Sequence, residues 1–261
     1  MGTPPAGRRS RADGVAPGAG RYPRNHPGQY DDLAAQWWRP EGPFAVLHWL
    51  AQARGRLVPP AARPGALLVD VGCGGGLLAP HVAGKGYRHL GVDLVRSALE
   101  RAAAHGVTPV RGDAAALPLA TGCADVVVAG ELLEHVPDLD ATVAQLCRVL
   151  RPGGLLVLDT LNATALGRWL AVTVAERVPG VPRGLHDPAL FVDPARLTRL
   201  CTRHGVALAV RGVRPTVWGT LRWLVLRRGA ARIRPTWTTA VLYQGRGVKH
   251  DGRSPSAGGH P

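Results

Sequence analysis

Cysteine is scarce in this 261-residue chain, and lysine is scarcer still. Cys73, Cys123, Cys147 and Cys201 are widely spaced and form no Cys-x-x-Cys pair. That spacing argues against a disulfide framework or a cysteine zinc site and fits a reducing cytosol. They read as small buried hydrophobes. No charge-free apolar run reaches the roughly 18 residues of a spanning helix. No apolar stretch follows the early arginines as a secretory signal would require. Lys85 and Lys249 are the only lysines, so arginine carries almost all of the basic charge behind a net +14. Residues 201–261 hold eleven Lys or Arg against one acid, Asp251. Such a stripe suits nucleic acid or an anionic membrane surface. No basic-aromatic motif of a known nucleic-acid module accompanies it, and codon bias toward arginine gives the same composition.

The informative segment is Leu67-Leu-Val-Asp-Val-Gly-Cys-Gly-Gly-Gly-Leu-Leu78. A short apolar run carrying Asp70 stops at a glycine cluster, which predicts a buried strand turning sharply into a helix. Gly72, Gly74 and Gly76 let the backbone bend and a ligand lie against it. The form is Asp-x-Gly-x-Gly-x-Gly, not the Gly-x-Gly-x-x-Gly that seats a pyrophosphate on a helix N-terminus. An acid ahead of the glycines suits a ligand without phosphates and with a charged amino-acid tail; S-adenosylmethionine is such a ligand. A second strand, His89 to Val92, ends at Asp93, about 20 residues past the glycines, where an open α/β sheet places a carboxylate on a ribose diol. A third, Thr108 to Arg111, leads to Asp113, placed for an adenine amino group. A fourth, Ala124 to Ala129, runs into Gly130-Glu-Leu-Leu-Glu-His135. A helix, then Arg151-Pro-Gly-Gly154, precedes a fifth strand, Leu155 to Thr160. This order of strands, acids and Pro-Gly-Gly resembles the class I S-adenosylmethionine-dependent methyltransferases.

Glu131, Glu134 and His135 stand at i, i+3 and i+4. On a helix they would share one face at the carboxyl end of the sheet. Three readings stay open. The set is a facial site for a divalent cation such as Mg²⁺; or His135 is a general base toward an acidic hydroxyl, with Glu131 beside it; or the acids merely complement a helix N-terminus.

A narrower resemblance rests on longer stretches. Gly130-Glu-Leu-Leu-Glu-His-Val-Pro-Asp138, Leu33-Ala-Ala-Gln-Trp-Trp-Arg-Pro-Glu-Gly-Pro-Phe44 with Leu47-His48, Asp159-Thr-Leu-Asn162, and Pro182-Arg-Gly-Leu-His-Asp187 with Phe191 are similar to the ubiquinone-biosynthesis O-methyltransferases. The likeness spans about residues 30 to 245. It implies S-adenosylmethionine contacts at Arg54, Gly72, Asp93 and Gly130, and metal ligands at Glu131, Glu134 and His135. Leu185 departs from it, standing where the family has threonine. The basic, tryptophan-rich stretch Arg211 to Arg234 departs as well.

The expected architecture is α/β: a Rossmann-like, seven-stranded, mostly parallel sheet with helices on both faces and an antiparallel last strand around Thr236 to Tyr243. Residues 1–28 are expected to be a disordered arm, 29–245 one domain with a helical insert at about 163–195, and 246–261 a disordered tail. The expected reaction is O-methylation of a phenolic small molecule, of quinone or polyprenyl type, by a cytoplasmic enzyme. The insert, where Leu166, Leu170 and Val174 recur at helical spacing, would rest peripherally on the inner face of the membrane. A soluble natural-product methyltransferase, a cofactor-binding accessory protein and a nucleic-acid-binding protein on the same scaffold are the alternatives. The sequence is silent on oligomeric state.

Overall fold

In the computed structural model, residues 22–178, 181 and 183–250 are described. Helices α1 (Gly28–Asp32) and α2 (Ala45–Gly55) lead into an alternating series. It runs β1 (Leu67–Val71), α3 (Ala79–Val82), β2 (Arg88–Asp93), α4 (Arg96–Ala103), β3 (Thr108–Arg111), β4 (Ala124–Gly130), α5 (Leu139–Val149) and β5 (Leu150–Leu161). Then follow α6 (Ala165–Arg168), α7 (Pro194–Arg203), β6 (Val206–Pro215), α8 (Val217–Leu226), β7 (Ile233–Thr236) and β8 (Leu242–Lys249). All eight strands join one sheet in the order β3-β2-β1-β4-β5-β8-β6-β7.

The first five strands in that order are parallel, and β8 runs antiparallel between β5 and β6. The central strands read as unbroken apolar runs because helices cover both faces. Val126 to Ala129 and Leu156 to Leu158 are almost wholly inaccessible to solvent.

Five expectations need correction. The sheet has eight strands, not seven. The eighth, β7, pairs antiparallel with β6 at the sheet edge, where Pro235 costs no ladder bond on its open side. The antiparallel strand inside the sheet begins at Leu242, not near Thr236, and runs to Lys249. Residues 246–249, assigned to the tail, therefore belong to the sheet; the remainder of the tail, 251–261, lies outside the described residues. At the other end residues 1–21 of the expected arm lie outside them too, whereas 22–28 are packed against the body. Finally, Arg151-Pro-Gly-Gly154 does not separate helix from strand. The helix ends at Val149, Leu150 already pairs with Ala124, and Leu155 pairs with Val126, so the four residues bulge out of β5, with Gly153 at φ +70°.

Candidate active site

The carboxyl ends of the parallel strands open into a cavity of about 700 Å³. Its floor is the loop after β1. Gly72 and Gly74 have φ of +70° and +51°, a region closed to most side chains. Both line the cavity, and so do Asp70, Asp93, Asp113, Gly130, Glu131 and Arg54. Gly76 does not. A Cβ there would lie 2.9 Å from the Ala102 backbone, so this glycine serves the packing of the loop against α4 rather than a ligand.

Asp93 closes β2. Its Oδ2 accepts from the Gly74 N–H and its Oδ1 from the Val95 N–H, both at 2.9 Å. Burial raises its pKa, and those two bonds oppose the rise. Asp113 is exposed and folds back to accept from Ala115 N–H at 2.8 Å. Trp37 lies across the glycine loop, so close that a Cβ on Gly74 or Gly75 would enter its ring. Trp37 stacks on Phe44 with centroids 4.3 Å apart, and Trp38 Nε1 donates to Gly75 O at 2.8 Å. These aromatics from the segment before the sheet hold the loop down.

Under β4 sits a buried ion pair. Arg54 Nη1 donates to Asp159 Oδ1, and the guanidinium occupies the space that a side chain on Gly130 would need. Burial opposes the charge on Arg54, but Asp159, Asp70 and Glu131 outweigh it and raise its pKa. One guanidinium thus faces three carboxyl groups. This surplus of acid suits a ligand that carries positive charge.

The second cluster corrects the expected helix. Glu131 has φ +50°, and its N–H donates to Asp159 O at 3.0 Å. Only Leu133–His135 form one 3₁₀ turn before Pro137; α5 begins later, with the Asp138 carboxylate accepting from Ala141 N–H. Glu131, Glu134 and His135 therefore do not share a helical face. Glu134 is fully buried away from the cavity and accepts from Thr160 Oγ1 at 2.7 Å. Its pKa is raised by burial to about 7; burial, with the nearby Glu134 and Asp159, likewise holds the Glu131 carboxyl well above the usual range. Each glutamate leaves one buried oxygen, Oε1, without a partner. Among the described residues no three acid, histidine or cysteine groups converge on a metal position.

His135 stands on the cavity wall, with both ring nitrogens engaged. Nδ1 lies 2.6 Å from Asn25 Oδ1, and Nε2 lies 3.4 Å from the Tyr30 hydroxyl. His186 stacks on it at 5.1 Å. Burial, and then the neighbouring His186, lower the His135 pKa to about 3. Sequence reasoning missed Asn25, Tyr30 and His186 as site residues. His186 was legible as part of Gly-Leu-His-Asp; Asn25 gave no signal in its Pro- and Gly-rich setting.

Residues 69–158 match a family model described as a methyltransferase domain. The ubiquinone biosynthesis O-methyltransferase of Thiobacillus denitrificans is 39% identical over 190 residues, 68% of this chain and 81% of that protein. The chain belongs to this family. The same enzyme of Burkholderia pseudomallei is 36% identical over 195 residues, 71% of this chain and 84% of the relative. A SAM-dependent methyltransferase of Thermotoga maritima shares the fold with a TM-score of 0.61 at 17% identity, over 85% of this chain and 96% of that one. This O-methyltransferase therefore uses S-adenosylmethionine, and the site fits it: a glycine cradle without side chains, a carboxylate at the end of β2, and an acid surplus near Asp70.

Loss of Asp93 tests the cofactor side. Asp93→Ala should weaken S-adenosylhomocysteine binding by roughly 1.5–3 kcal/mol, the worth of hydrogen bonds to a charged group. Isothermal calorimetry on the folded variant measures it; unchanged affinity would remove Asp93 from the site.

Proposed function

We propose that this family member methylates the hydroxyl of a phenolic, quinone-type lipid precursor. The observation that carries the reading is the wall of the cavity. It is mostly apolar, with Phe44, Leu47, Leu132, Val136, Ala171 and Leu185 among its lining, yet it holds two stacked neutral imidazoles, His135 and His186. An apolar ring and the start of a prenyl tail match such a wall; about 0.8 kcal/mol per buried methylene favours their transfer from water.

S-adenosylmethionine supplies an electrophilic sulfonium methyl group and leaves as a neutral thioether. The residues of the chain do the rest. Gly72, Gly74 and Asp93 orient the cofactor, and Trp37 with Tyr30 excludes water from one side. His135 Nε2 accepts the hydroxyl hydrogen bond in place of Tyr30 and takes the proton as the oxygen gains its methyl. Because burial keeps its basicity low, His135 does not ionise the phenol beforehand.

A divalent cation is the second reading, favoured by the orphaned Oε1 atoms of Glu131 and Glu134. The three family ligands do not fit a metal in this arrangement, since Glu134 is buried against Thr160, away from the cavity that Glu131 and His135 line. Chelation decides: full turnover in excess EDTA is expected if the two carboxyls hold protons, and a loss restored by Mg²⁺ would require that the site rearrange around an ion. Incubation with a short-tailed prenyl catechol and mass spectrometry of the product test the reaction itself. A product without an added methyl would sink the assignment.

Access to a lipid acceptor calls for a surface that meets the bilayer. No described helix is long and apolar enough to cross one. Leu166 and Trp169 on the insert, Trp218 and Val225 on α8, and Trp237 are exposed apolar side chains in an arginine-rich setting, which supports peripheral docking on anionic lipid. Trp218→Asp with Val225→Asp should abolish co-sedimentation with vesicles containing phosphatidylglycerol while sparing turnover of a soluble catechol. Unchanged sedimentation would discard this surface.

A further inference from the structure

Asn25 lies in a segment whose composition resembles a linker, yet both its backbone and its side chain are tied at the cavity. Its backbone is left-handed, φ +61°, a conformation that asparagine tolerates better than most residues. Its N–H donates to Gly184 O at 2.9 Å. The preceding Arg24 donates from Nη1 and Nη2 to the two carboxylate oxygens of Glu176, at 2.8 and 3.1 Å, and from Nη1 to His186 O at 3.0 Å. Glu176 in turn accepts from Gly184 N–H at 3.0 Å. The backbone of Asn25 is thus fixed from the insert side.

Its side chain is fixed from the other. Nδ2 donates to the backbone carbonyl of His135 at 2.9 Å. A carbonyl can only accept, so the amide cannot be turned around. The oxygen must therefore be the atom 2.6 Å from His135 Nδ1. An amide oxygen also only accepts, so Nδ1 must carry a proton. A neutral imidazole protonated on Nδ1 has its lone pair on Nε2. The contact there, Tyr30 hydroxyl at 3.4 Å, is long for a hydrogen bond and readily replaced by a substrate hydroxyl.

We infer that Asn25 is a positioning residue that fixes the tautomer of His135, with the proton on Nδ1 and the Nε2 lone pair presented at the cavity wall. It acts as the orienting carboxylate does in a catalytic triad, but through an uncharged amide that reads the direction of the proton from the histidine's own backbone. The inference deepens the proposed function and rests on its placement of His135 at the reacting hydroxyl. The tautomer can be observed without turnover, so the two can fail separately.

The test is long-range nitrogen–proton NMR correlation of the imidazoles in the full chain, with the His135 signals assigned by their loss in His135→Gln. The wild type should show His135 protonated on Nδ1. Asn25→Ala should move the proton to Nε2 and lower kcat on a short-tailed prenyl catechol by roughly 10–100-fold, with S-adenosylhomocysteine affinity unchanged. Asn25→Asp keeps an acceptor opposite Nδ1 and should restore both the tautomer and most of kcat. Arg24→Ala loosens the same segment but should leave the tautomer in place. An Nε2 proton in the wild type overturns the inference, and so does an Nδ1 proton that survives Asn25→Ala, even if kcat falls. If Asn25→Ala does not fold, the wild type and Asn25→Asp carry the same decision. The expected tautomer shift without any methylated product would overturn the functional reading and leave this one standing.

Discussion

Arg54→Ala is expected to destabilise the fold by about 3–5 kcal/mol, because it leaves a buried carboxylate without its counter-charge. Asp159 is fully buried, and Arg54 nearly so. Glu131 N–H, at 3.1 Å, and Gln244 Nε2, at 3.3 Å, remain as partners of the Asp159 side chain in the variant, but both are neutral. Urea unfolding followed by circular dichroism measures the loss. Arg54→Met combined with Asp159→Leu removes both charges at similar volume and should recover most of it. A single-variant loss under about 1 kcal/mol would show that Asp159 simply takes up a proton, with the ion pair contributing little. The same guanidinium fills the space over Gly130. Cofactor affinity should therefore fall with stability in Arg54→Ala, and return only in part in the double variant.

That pair was half legible. Arg54 and Gly130 were assigned to the cofactor through family resemblance, but Asp159, 105 residues from Arg54, appeared only as part of a matching motif. Local pattern reports strands such as Val126 to Ala129, whose unbroken apolar run needs cover on both faces, and acids such as Asp93 at a strand end. It does not report which distant charges meet. The helix expected at Glu131 failed for a local reason: the left-handed turn at Glu131 and the approach of Pro137 leave room for one 3₁₀ turn. Strand β7 was missed because Ile-Arg-Pro-Thr is only four residues long and carries a proline, which argues against a strand anywhere but at an edge. Asn25 was missed because a Pro- and Gly-rich context reads as a linker, whatever it docks against.

His135→Gln should lower kcat by about 10²–10⁴, the range for loss of a general acid–base group, with S-adenosylhomocysteine affinity retained. Initial rates on a soluble catechol and calorimetry on the same preparation separate the two effects. A fall below tenfold would take the proton-accepting role from His135. The variant carries a second signature. The folded pKa of about 3 lies below the ordinary histidine value near 6.5. Between those values the unfolded chain binds the proton and the folded one does not, so stability is present above about pH 6.5 and is lost as pH falls toward 3. His135→Gln should remove part of that acid loss. An identical stability profile would mean that the folded imidazole titrates as it does in the unfolded chain.

The clasp between Arg24 and Glu176 joins residues 152 positions apart. A ribosome adding about 5–20 residues per second needs roughly 8–30 s to pass from one to the other. During that interval Arg24 and Asn25 have emerged without Glu176, Gly184 and His186, which hold them from the insert side. The nascent chain can assemble the glycine loop and β2 early, but it cannot enclose a ligand until the insert has been made.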